Sequence, residues 1–213
     1  MEENQHLLAQ AREHAFLKGV IACVDLGDPK LGNWLDVLQR QACFRGVWGR
    51  DLETGQAGRP DREGLGLLEE RGIPLDLAAP GAGLPAFLER HPDLRVAITH
   101  LGMPDGSESW FGGMELAAQS PRVAVKASRL LAGRGRPWSA SAVRPFVAHV
   151  LRVFGPRRVM FGSDWPSCLP DSIWKETLAI FTQAIGAQDM ETREWLLGES
   201  ACAFYGIEGA KDR

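Results

Sequence analysis

Six short apolar runs, each followed by a stretch of helical periodicity, constrain this chain more than any other feature of its sequence. The runs are GVIACVDL (19–26), FRGVWG (44–49), IPLDLA (73–78), RVAITH (95–100), RVAVKAS (122–128) and RVMFGSD (158–164). They are rich in β-branched residues and continuous rather than alternating, the pattern of parallel strands covered on both faces. Amphipathic stretches lie between them at 30–41, 62–71, 83–90, 111–120 and 140–154, and two more follow near 172–185 and 190–203. Pro29, Gly72, Pro92, Pro121 and Gly155-Pro156 mark junctions. Arg71-Gly72 reads as a helix C-cap, with Ile73 opening the next strand. Repeated strand–helix units of this kind make a parallel α/β architecture.

Two architectures remain open: a doubly wound sheet, or a (β/α)₈ barrel. About six strands are legible, where a closed barrel needs about eight. The chain also begins with a helix over 3–16, with Leu7, Leu8, Ala11 and Ala15 at core-facing spacing and no strand before it. A doubly wound nucleotide-binding sheet usually carries a Gly-rich turn after its first strand. GDPKLGNW (27–34) is no G-x-G-x-x-G, and no P-loop occurs. A length of 213 residues suits one domain with a sizeable core. The net charge of −3 gives no reason to expect nucleic acid or an anionic membrane as partner. No apolar run reaches membrane-spanning length, and the N-terminus MEENQHLLAQAREH is polar, unlike a signal or transit peptide. Cys23, Cys43, Cys168 and Cys202 are scattered, with no C-x-x-C pair. That spacing argues against a structural zinc cage and a disulfide framework, and makes a reducing cytoplasm the expected compartment, while 24 Gly, 13 Pro and many Arg and Ala residues suggest a GC-rich bacterial gene.

In parallel α/β proteins ligands gather at the C-terminal ends of strands. The fourth run ends in Thr99-His100, the fifth carries Lys126, Ser128 and Arg129, and the sixth ends in Ser163-Asp164-Trp165. Three consecutive strands thus deliver an imidazole, an ammonium and a carboxylate to one rim. That set can bind a metal, activate a water and stabilise an oxyanion. Each residue also has an ordinary structural role open to it. His100 can be a core histidine bonded to backbone, Asp164 a helix cap, Lys126 a solvated strand-end charge and Trp165 a packed lid. The cap role suits Asp171-Ser172 better, because the next helix starts near them. His6, His14, His91 and His149 fall on helices or turns, as surface or packing residues.

THLGMP (99–104), VKAS (125–128) and VMFGSDWPSC (159–168) together resemble the amidohydrolase-related lactonases, the group of L-fuconolactonase and 2-pyrone-4,6-dicarboxylate lactonase. The layout is similar almost throughout, from ENQHLLAQAREH through FRGV and HPDLRVAITHLG to the closing ESACAFYGI. The resemblance implies a distorted TIM-type (β/α)₈ barrel, present here as strands three to eight in one domain over residues 1–213, incomplete at its N-terminus. It implies hydrolysis of sugar lactones or related cyclic esters, or decarboxylation of related acids. It maps the family's active-site histidine onto His100, the aspartate onto Asp164 and the strand-seven lysine onto Lys126.

On that mapping Asp164 is the base that deprotonates water, beside Trp165 and Phe161 in a semi-dry site. His100 polarises the carbonyl or holds a metal. Lys126 stabilises the oxyanion or a substrate carboxylate. FRGVWGRD has Trp48 and Gly49 where the family often has Arg and His, and Arg50 is the candidate replacement cation. LDLAAPGAG, ending the next strand, carries no evident substrate group, and Met103 stands where the family often has lysine. RLLAGRGRPW (129–138), with Arg129 at its start, is either a lid over an anionic or polyhydroxylated substrate or a solvated loop. One divalent metal, zinc or manganese, would find only His100 and Asp164, because the family's H-x-H pair is missing from this sequence, whereas a catalytic zinc usually has three protein ligands. The contrasting reading is a degenerate member acting as a binding or oligomeric module, in which open sheet edges pair with a second copy.

Overall fold

The computed structural model describes residues 2–49, 61–79, 81–131, 139–169 and 172–208. Its six strands are β1 (Val20–Val24), β2 (Phe44–Gly49), β3 (Leu75–Leu77), β4 (Val96–Ile98), β5 (Val123–Ala127) and β6 (Val159–Phe161). The helices are α1 (Glu2–Glu13), α2 (Leu31–Gln39), α3 (Asp61–Glu70), α4 (Leu84–Arg90), α5 (Glu108–Ala118), α6 (Ala140–Phe154), α7 (Trp174–Ile185), α8 (Met190–Glu194) and α9 (Ser200–Tyr205). The helix expected over 190–203 is broken, because a π-helical turn, Trp195–Glu199, separates α8 from α9. The helix expected from Asp171-Ser172 begins later, with Ile173 as the N-cap of α7 and the Glu176 carboxylate accepting the Ile173 N–H.

The strands lie in sequence order, β1-β2-β3-β4-β5-β6, and every neighbouring pair is parallel. A doubly wound sheet reverses its order at a switch point and carries helices on both faces. This sheet keeps one strand order throughout, and α1 to α7 all pack on one face of it. Val47, Leu75, Leu77, Val96, Ile98, Val123, Val125 and Val159 share one core with buried residues of α1 to α7. That one-sided winding is the TIM-type arrangement, with strands three to eight of the expected barrel in order.

Successive strand residues point to opposite faces, so the positions between those valines and leucines build a second, inner face. There Ala97, Ala124 and Met160 pack with Tyr205, against which Ile21, Ala201, Phe204 and Ile207 are half-buried. Small residues on the strands leave room for the aromatic rings of α9. Both faces are therefore apolar, which is why the runs are continuous in sequence.

β1 forms one edge of the sheet. Its edge is met by Asn4, a buried residue of α1. The Asn4 amide donates to the Cys23 carbonyl at 2.7 Å, and its carbonyl accepts the Cys23 N–H at 2.9 Å. One side chain thereby does what a residue of a neighbouring strand would do, and blunts an edge that would otherwise invite pairing. Asn4→Ala should destabilise the fold by about 1–3 kcal/mol, since it strips both bonds from buried backbone. Urea denaturation measures this, and an unchanged midpoint would refute the clamp.

Candidate active site

β4, β5 and β6 end side by side. The register pairs Ile98 with Val125, and Val125 with Val159. Among the described residues five non-glycine residues have positive φ: His100 (56°), Leu101 (55°), Met103 (51°), Arg129 (56°) and Asp164 (60°). All five lie just beyond these three strands. A side chain in the left-handed region costs on the order of 1–3 kcal/mol and persists only where the surroundings dictate it. His and Asp tolerate that region better than most residues, whereas Leu, Met and Arg gain nothing from it locally.

His100 is fixed by the end of β5. Its backbone N–H donates to Ser128 Oγ at 3.2 Å, and its ring Nδ1 lies 2.9 Å from the same oxygen. Ser128 in turn abuts β6. A Cβ on Gly162 would stand 2.9 Å from Ser128 Cβ, so this position requires glycine. Burial, then the charges of Arg129 and Lys126, push the His100 pKa down to about 4. The imidazole is neutral at neutral pH.

Asp164 leaves β6 through a turn in which its carbonyl accepts the Cys168 N–H at 2.8 Å and Ser163 Oγ accepts the Trp165 N–H at 3.2 Å. Its Oδ2 is buried and has no hydrogen-bond partner among the described residues. Burial raises its pKa above the ordinary aspartate value, with the Arg129 charge opposing. Asp164 caps no helix. Trp165 is 62 % exposed, so it is no packed lid over the carboxylate. Arg129 is exposed at the same rim, and its charge acts on both His100 and Asp164.

Lys126 is placed differently from the expectation of a substrate cation. Its ammonium pairs with the Asp76 carboxylate of β3, which also accepts the Tyr205 hydroxyl. The ammonium lies 5.0 Å from the centroid of the Tyr205 ring. Burial, followed by the Asp76 charge, raises the Tyr205 pKa well above its usual value. Sequence reasoning passed over Asp76 and Tyr205. The available signal was an acid inside the apolar run IPLDLA and a lysine inside RVAVKAS, since two opposite charges in buried strands need each other. Arg50 and residues 132–138 of the Arg-rich loop lie outside the described residues.

Among the described residues no three His, Cys, Asp or Glu side chains converge as a metal-binding set. His100 and Asp164 are two donors, with one ring nitrogen of His100 already on Ser128. These residues do not make up a zinc or manganese site by themselves.

The fold belongs to a known family. Residues 2–207 match the amidohydrolase family model, and the chain is a member of that family. It is 30 % identical to the L-fucono-1,5-lactonase of Burkholderia ambifaria, over 97 % of this chain and 77 % of the relative. A crystal structure of an amidohydrolase from Burkholderia multivorans with bound zinc superposes with a TM-score of 0.84 at 24 % identity, covering 97 % of this chain and 80 % of that one. The 5-carboxyvanillate decarboxylase of Sphingomonas paucimobilis shares the fold at a TM-score of 0.62 and 17 % identity, over 96 % and 71 % of the two chains. No helix among the described residues is long and apolar enough to cross a membrane.

The two shifted groups act on stability with opposite signs. An unfolded histidine takes its proton near 6.5 and folded His100 only near 4, so the unfolded state binds more protons between those values. His100 therefore makes stability fall as pH drops from about 6.5 to about 4, and His100→Gln should flatten that part of the profile. Asp164 has a raised pKa, so stability falls as pH rises through it. Asp164→Asn should accordingly raise the thermal midpoint at neutral pH. Thermal melts across pH check both, and a midpoint lowered in Asp164→Asn at pH 7 would contradict the assignment.

Proposed function

We propose that this chain is a hydrolase that opens a lactone or a similar cyclic ester with water activated by Asp164. The observation that carries the reading is a carboxylate oxygen, buried and without a partner among the described residues, on the strand end next to the one that anchors His100. An acceptor left unsatisfied in a native structure calls for an explanation, and a substrate water supplies one. The name of the Burkholderia ambifaria relative, L-fucono-1,5-lactonase, supports the substrate class.

Asp164 takes a proton from water, and the resulting hydroxide bonds to the lactone carbonyl carbon. A base with a raised pKa takes up a proton more readily than an ordinary aspartate. Ser128 accepts the His100 N–H and can give its own O–H to Nδ1, which leaves the ring proton on Nε2. That N–H, with the Arg129 charge at the rim, stabilises the tetrahedral oxyanion. The carbonyl re-forms, the ring C–O bond breaks, and the departing alkoxide oxygen takes the proton from Asp164. One lactone and one water become one hydroxy acid. Lys126 stays on Asp76 and shapes the field from below, and Trp165 offers an exposed aromatic surface to the substrate.

Acid release from L-fucono-1,5-lactone and a panel of other sugar and aromatic lactones tests the reading, with CO₂ release from aromatic acids followed in parallel. Turnover of a lactone is expected, with kcat/KM rising with pH through the raised pKa of Asp164. Asp164→Asn should lower kcat by roughly 10²–10⁴-fold. A folded Asp164→Asn protein with undiminished turnover, or release of CO₂ with no lactone opened, would overturn it.

A further inference from the structure

The turn that carries His100 contains a run that does not hold itself together. His100, Leu101, Gly102 and Met103 are four consecutive residues with φ between 51° and 65°. Only one of them is glycine, and left-handed residues ordinarily occur singly. Two short bonds span the run, from the Gly102 N–H to the Thr99 carbonyl at 3.0 Å and from the Met103 N–H to the His100 carbonyl at 2.9 Å. The carbonyls of Leu101 and Gly102 point to a different donor. Both accept the indole N–H of Trp110, at 3.0 Å and 3.1 Å.

Trp110 itself has little freedom. It is 1 % exposed, on the first turn of α5, and its backbone N–H donates to the N-cap Ser107 Oγ at 3.2 Å. Its ring meets Phe111 and Phe146 edge-on, at centroid distances of 4.9 Å and 5.3 Å. Gly81 passes so close that a Cβ there would stand 2.7 Å from the ring. A Cβ on Gly102 would meet Met114 Sδ at 2.9 Å, so the turn is also pressed onto α5 from its other side. A core role needs the ring alone. A shared donor aimed at two carbonyls of a left-handed run has a further use.

We propose that Trp110 is a positioning residue: its indole N–H, shared between the Leu101 and Gly102 carbonyls, holds the left-handed turn that aims the His100 imidazole into the site. The inference rests on the role given to His100 above. Ser128 fixes the ring from the β5 side, and Trp110 fixes the backbone beneath it from the helix side. Without the N–H the turn can relax toward the right-handed region, and the imidazole moves away from the reacting carbonyl.

The test uses the full-length protein with Trp110→Phe, and with Trp110 replaced by benzothienylalanine, which keeps the shape of the indole and puts sulfur in place of the N–H. The sulfur isostere decides the matter if Trp110→Phe does not fold. With L-fucono-1,5-lactone as substrate, kcat should fall roughly tenfold to a hundredfold, while KM stays within about twofold because the change acts on the transition state. The ¹⁵N ring resonances of His100 should shift in the isostere, which loses both indole bonds but stays folded at the temperature of the assay. Unchanged kcat, or a raised KM at unchanged kcat, would overturn the inference. Should the unmodified protein open no lactone, the lactonase reading fails by itself. The His100 ring spectrum then decides alone, a shift supporting the role of Trp110 and an unchanged spectrum refuting it.

Discussion

The site depends on three parallel strands stopping side by side and each leaving the sheet through a left-handed residue. β4 turns out at His100, β5 at Arg129 and β6 at Asp164. Parallel pairing sets the three ends in register, and the positive φ redirects each chain there. The cost is met by contacts that cross from one strand end to the next. Ser128 grips His100, Gly162 makes room for Ser128, and Trp110 holds the carbonyls that follow His100. Strain confined to one rim of an otherwise regular fold is the kind that surroundings sustain where a group must face a ligand.

The inner face explains why the rim stands on firm ground. Helices cover one side of the sheet and leave the other to short side chains, and α9 brings Tyr205 onto it. Asp76 and Lys126 meet there, with the tyrosine hydroxyl as a second donor to the carboxylate. A buried ion pair contributes little net stability, but losing either partner strands a charge and is costly. It therefore ties β3, β5 and the last helix to a single arrangement beneath His100. The ammonium remains close enough to depress the His100 pKa, so it acts on the site through its field while one of its N–H groups is held by Asp76.

The architecture was legible because burial on both faces writes itself into sequence as continuous apolar runs, and all six runs hold a strand. Polar residues at the ends of such runs have few structural reasons to be there, which singles out His100 and Asp164 as candidates, and the parallel register brings their strand ends to one rim. Lys126 misled for the same reason. Its partner Asp76 sits 50 residues earlier, and the third member, Tyr205, lies in a helix with no periodic link to either. Of the two roles open to Trp165 in sequence, packed lid and substrate platform, its exposure leaves the platform. Left-handed backbone at Leu101 and Met103 left no trace in residue type, since neither residue prefers it. Only the placement of Trp110 accounts for it.

The most direct test of this account is a crystal structure with the lactam of L-fuconate, in which an N–H replaces the ring oxygen and prevents opening. The account predicts the lactam carbonyl oxygen about 3 Å from His100 Nε2 and a water between Asp164 Oδ2 and the carbonyl carbon. A lactam bound with its carbonyl away from both residues, or with Asp164 bonded to a sugar hydroxyl in place of the water, would contradict it.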